Sequence, residues 1–139
     1  RRLLHALRGA PTIGDTMDSS LTLPLVIHLA SVLPALVLGA WQLARPKGNG
    51  SHRLLGRVWV ALMLVAAFAS FGVGRNGLGW IHALSVFTII SVTAGLYFAR
   101  RHQTRRHRGW MVGAWLGSLG AGIGAVAGPG RLLHTLMMG

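Results

Sequence analysis

The chain alternates between long apolar runs and short, mostly basic connectors. Crossing a bilayer takes about 20 largely apolar residues, and four runs reach that length: about 21–44, 54–74, 79–99 and 109–128. None shows the two-residue alternation of a strand, and each is far longer than an ordinary strand. Backbone surrounded by lipid must satisfy its own hydrogen bonds, so the runs read as helices. The connectors 45–53, 75–78 and 100–108 are short, which makes consecutive helices antiparallel neighbours. The pattern predicts an all-α, integral membrane four-helix bundle, up-down-up-down, over 21–139, behind an N-terminal tail of residues 1–20.

Composition sharpens this picture. The mean hydropathy is +0.53, and only 12% of the 139 residues are charged, about half the share in a soluble domain. Fourteen Lys and Arg against two acidic residues give a net charge of +12. A nucleic-acid partner is excluded by distribution, because the cations avoid the apolar runs and gather between them. With no Cys, thiolate metal sites, iron–sulfur clusters, disulfides and cysteine nucleophiles fall away together. Asp15 and Asp18 are the only acidic side chains, so catalysis by paired carboxylates has no candidates.

The charges also orient the bundle. Arg45, Lys47, Arg53, Arg57, Arg100, Arg101, Arg105, Arg106 and Arg108 fall at one end; Arg1, Arg2, Arg8, Arg75 and Arg131 belong to the other. The positive-inside bias makes the first end cytoplasmic and both termini periplasmic, in a bacterial inner membrane. Met17 as initiator would strengthen that asymmetry, since MDSSLTLP leads directly into the first helix. The tail's apolar stretch is too short for a signal peptide. Trp41, Trp59, Tyr97 and Trp110 fall at the basic interface and Trp80 at the opposite one, as an aromatic belt requires.

An internal repeat runs through the apolar segments. Ile27-His28-Leu29-Ala30-Ser31-Val32 aligns with Ile81-His82-Ala83-Leu84-Ser85-Val86, sharing Ile, His, Ser and Val. With one inserted residue, Ala44-Arg45 then meets Ala99-Arg100 and His52-Arg53 meets His107-Arg108. The unit is a helical hairpin present twice, in parallel orientation about an axis along the membrane normal.

The repeat sorts four histidines by depth. His28 and His82 lie on helices 1 and 3 near the periplasmic end, and His52 and His107 open helices 2 and 4. From His28 to Arg45 is about 25 Å along a helix axis, so the two layers are separate. Helices 1 and 3 are diagonal in the bundle, as are 2 and 4. Two imidazoles facing each other across a bundle are what a bis-histidine haem needs, so the expected cofactor is haem b, one or two per chain. Ser31 and Ser85 share a face with their histidines and would bond to them. Arg53, Arg57 and Arg108 offer planar cations for propionates near the cytoplasmic pair, and glycines along helix 4 allow close approach. Each residue also has a plainer reading. Intramembrane histidines can bond a neighbouring hydroxyl, the serines can bond back to their own helix, and the arginines can anchor lipid headgroups. The glycines can serve ordinary helix packing. Two imidazoles per layer make a poor zinc site, and the serines lack a histidine–carboxylate relay.

The order of features resembles a widespread bacterial family of small predicted membrane proteins with no assigned function. The carrying residues are His28, Pro34 and Gly39, the opening His52-Arg53-Leu54-Leu55-Gly56-Arg57, His82, and His107-Arg108-Gly109-Trp110-Met111. More distantly, the layout is similar to diheme transmembrane cytochromes b, in which histidines of alternating helices pair around two haems. That resemblance implies His28 with His82 and His52 with His107 as axial ligands. It differs here in that His52 and His107 lie close to the interface. The leading expectation is a b-type cytochrome-like electron-transfer protein or subunit, more an electron carrier than a stand-alone enzyme. Two alternatives stay open: a non-catalytic subunit docking its glycine-rich helix onto a larger membrane complex, or a lipid- or quinone-binding membrane protein.

Overall fold

The computed structural model describes residues 22–73 and 79–127. The expectations for residues 1–20, including Met17, and for Arg75 and Arg131 lie outside the described residues. Four helices make up the fold: α1 (Leu23–Ala44), α2 (Gly50–Ser70), α3 (Trp80–Arg100) and α4 (Thr104–Ala127). All four are long and apolar enough to cross a membrane.

Local chemistry explains where the helices begin and end. Pro24 occupies the first turn of α1, where its missing N–H costs nothing. The Asn49 side chain caps α2 by accepting from the His52 backbone N–H at 2.8 Å, so the helix starts one turn before its apolar run. At the end of α3, His102 takes a left-handed conformation with φ +56°. This lets Gln103 N–H reach the Phe98 carbonyl at 2.9 Å, closing the helix in the way a glycine usually does. Only residues 101–103 then separate α3 from α4. Both α2 and α4 reach into the basic connectors, which brings His52 and His107 inside their helices rather than ahead of them.

The helices form a ring in which α1 packs against α2 and α3 against α4. The α2–α3 seam joins the two hairpins, and of the four seams around the ring α1–α4 is the loosest. Large apolar side chains face outward: Val37 is 72% exposed and Phe68 62%. The interior instead holds small and hydroxyl-bearing residues, Ser31, Ser70, Ser85, Thr88, Ser91 and Ser118, around a core of Ala35, Met63, Val92 and Ala114. This inverts the soluble pattern. Lipid offers no hydrophobic drive for helix association, so close backbone approach and interhelical polar contacts hold the bundle.

Two indoles clamp α1 to its neighbours. Trp59 on α2 donates to the Ala35 carbonyl, and Trp115 on α4 donates to the Leu36 carbonyl, each at 2.9 Å. Both rings press against Gly39, where a Cβ would collide with each of them. Trp59 is therefore a buried packing residue and not part of an interfacial belt as its position suggested. Its N–H needs a carbonyl partner, and burial against a glycine notch supplies one.

Candidate functional site

Four histidines lie within the described helices, and their hydrogen-bond partners decide what each ring can bind. At the basic end the two hairpins repeat one arrangement. His52, in the first turn of α2, places Nδ1 3.0 Å from Gln42 Oε1 on α1. His107, on α4, places Nδ1 2.8 Å from the Gly95 carbonyl on α3. Both partners are acceptors, so each Nδ1 carries the proton and donates it. Nε2 is thereby left as the lone-pair nitrogen. Packing of Met111 against Gly95 keeps this carbonyl close to α4.

At the opposite end the two copies diverge. His28 on α1 donates Nδ1–H to the Ala66 carbonyl of α2 at 2.8 Å, again leaving Nε2 as the acceptor. His82 does the reverse. Its Nδ1 accepts from the Gly79 backbone N–H at 3.1 Å, so Nε2 carries the proton. The ring is buried and tilted against Phe71, with centroids 5.6 Å apart. His28 and His82 thus each lean on the outer part of α2.

A cavity of about 520 Å³ opens at this end, where α1 and α4 part. All four helices contribute to its largely apolar wall, with His28, Ser85, Thr88 and Ser118 as polar members; His82 is absent from it. Ser85 bonds back to the Ile81 carbonyl and pairs with the Ser70 hydroxyl. Ser31 bonds back to the Ile27 carbonyl. Neither serine bonds a histidine. Arg53, Arg57 and Arg108 stand exposed at the basic end.

Ligation of a haem iron asks for a ring nitrogen with a free lone pair, held in orientation by a bond from the other nitrogen. His52, His107 and His28 meet that requirement and His82, as oriented, does not. At the basic end both rings are therefore held in the tautomer that ligation would need. At the cavity only one ring nitrogen is ready. Among the described residues no group of three or more His, Cys, Asp or Glu gathers that could hold a bare metal ion.

Sequence reasoning missed Gln42, the Gly95 carbonyl and Trp115. The signal for the first two lay in hairpin register. Gln42 and His52 flank Lys47 symmetrically, as Gly95 and His107 flank Arg101, and residues equidistant from a tight turn face each other. Trp115 gave no such sign, because its partner lies on the helix farthest away in sequence.

Residues 25–136 match the family described as "Predicted membrane protein (DUF2306)". The chain belongs to that family. The match takes in all four histidines of the two layers and most of the described bundle. No curated protein and no solved structure matches the chain. Membership in DUF2306 thus brings a multi-pass membrane protein and leaves the chemistry to the site itself.

Proposed function

We infer that this DUF2306 protein is a b-type cytochrome-like electron-transfer protein of the bacterial inner membrane, with its basic end cytoplasmic and a haem b held between His52 and His107. One observation carries the reading: on two diagonal helices, both imidazoles have Nδ1 bonded to an acceptor on the preceding helix, leaving Nε2 for ligation. Bound there, haem would supply one-electron oxidation and reduction. The protein's part is to hold each ring in one tautomer and orientation through Gln42 and the Gly95 carbonyl. Arg53, Arg57 and Arg108 provide cations at the height where propionates would emerge. A second haem between His28 and His82 would need His82 to give up its bond to Gly79. The test is the absorption spectrum of protein purified from haem-replete cells. A Soret band with a sharp reduced α-band of low-spin bis-histidine haem is expected. A colourless preparation that is folded by circular dichroism overturns the reading.

A second reading, binding of a membrane-dissolved quinone or lipid, is favoured by the cavity at the opposite end. Its volume falls within the usual range for small-molecule sites, it opens at the loose α1–α4 seam, and His28 is on its wall. Equilibrium binding of a short-chain quinone, lost in His28→Leu, would support it; unchanged binding in that variant would remove it.

A further inference from the structure

We propose that the basic end is a binding surface for anionic phospholipid headgroups, and that occupancy by them stabilises the fold. The proposal is independent of haem. Nine cations crowd this end: Arg45, Lys47, Arg53, Arg57, Arg100, Arg101, Arg105, Arg106 and Arg108. All nine are exposed. Among the described residues the opposite end has no Lys or Arg, and no Asp or Glu occurs anywhere in them. Intramolecular neutralisation is therefore missing where the charge is densest. Of the nine, only Lys47 and Arg106 donate a side-chain hydrogen bond within the described chain, to the Leu43 carbonyl and to Gln103 Oε1. The remaining guanidinium N–H groups are open to a partner.

Aromatic contacts fix the height of three of these cations. The Arg45 guanidinium lies over Trp41 at 5.4 Å, that of Arg101 over Tyr97 at 5.1 Å, and that of Arg106 over Phe98 at 5.4 Å. Trp41 and Tyr97 are themselves exposed, which in this chain means facing lipid at the edge of the apolar zone. A guanidinium over such an interfacial ring would be held near the headgroup phosphates, where its planar N–H fork can pair with them. The pairs lie at two separate places, the end of α1 and the tight α3–α4 turn, and do not form one pocket. That geometry suits several separate headgroups better than one rod-like polyanion. Mutual repulsion among nine like charges at one end of the bundle, screened over about 8 Å at physiological salt, is what bound anions relieve. Each cation near an anionic leaflet contributes modestly, but the contributions add over the ring.

The experiment uses the full-length protein in a neutral detergent, with thermal unfolding and bound lipid phosphate as readouts. Phosphatidylglycerol added to the micelles should raise Tm by roughly 5 °C and remain bound through a wash. Phosphatidylcholine at the same mole fraction should do neither. Inorganic phosphate tests for a free-anion site, and a short DNA duplex tests for a nucleic-acid surface. Replacement of the exposed pair and its neighbour, Arg101→Gln with Arg105→Gln and Arg106→Gln, should halve the Tm response and leave the helical spectrum unchanged. Equal responses to the two lipids overturn the proposal. So does inorganic phosphate matching phosphatidylglycerol, or DNA replacing it. If the triple variant fails to fold, Arg45→Gln alone serves, since it sits on a different helix end; an undiminished response there counts against the proposal.

Discussion

The two histidine layers share a sequence pattern and differ in what they lack. At the basic end both imidazoles are anchored through Nδ1 and present Nε2. At the opposite end there is a cavity of about 520 Å³, with only His28 on its wall, while His82 has turned to its own helix start. One end has matched donors, and the other has room for a ligand. A repeated sequence pattern places the same residue types at equal heights. Whether they stay equivalent depends on the helix packed beside each copy. His52 and His107 meet the preceding helix of their own hairpin, an environment the repeat reproduces. His28 leans on α2 from within its hairpin, whereas His82 leans on α2 across the seam between hairpins; the matching α4–α1 seam is much looser.

The difference can be broken first at the clamp between the layers. Gly39→Leu drives a side chain into both Trp59 and Trp115 and should destabilise the bundle by about 3 kcal/mol. Unfolding by a denaturing detergent, followed by circular dichroism, measures this; an unchanged midpoint would mean that the indoles do not converge there. The next largest effect should be confined to the basic end. Gln42→Leu removes the acceptor that orients His52 and should weaken haem retention roughly 10- to 100-fold, seen as loss of the Soret band on dilution. Ser70→Ala, which breaks the hydroxyl pair with Ser85 at the other end, should leave retention unaltered and cost only about 0.6 kcal/mol of stability. Equal loss of haem in both variants would erase the distinction between the layers. Trp115→Phe deletes one interhelical hydrogen bond, to the Leu36 carbonyl. It should cost about 1 kcal/mol and loosen the α1–α4 side, with faster hydrogen exchange in α4 than in α2. Of opposite sign, His102→Gly relieves a left-handed residue and should add about 0.5 kcal/mol.

Much of the fold was legible because lipid imposes strict rules. Four apolar runs with short basic links permit little besides an antiparallel bundle, and the described helices follow them. The ends of α2 and α4 were less legible. The Asn49 cap and the left-handed His102 extend structure into polar sequence, which hydropathy does not register. For the site, the histidine heights were readable from the repeat, and the Nδ1 partners were not. A backbone carbonyl such as that of Gly95 has no side-chain signature, and Gln42 looked like an isolated polar residue near a helix end. The divergence of His82 was hidden for a further reason: its partner is the N–H of Gly79, available only because α3 starts there.

The most direct test of the central claim is haem per chain, measured as the pyridine haemochromogen, in His52→Ala beside His82→Ala. The expected result is loss of haem in His52→Ala and retention in His82→Ala, with both variants folded. Retention in His52→Ala, or loss in His82→Ala alone, would place any haem at the opposite end and contradict the assignment.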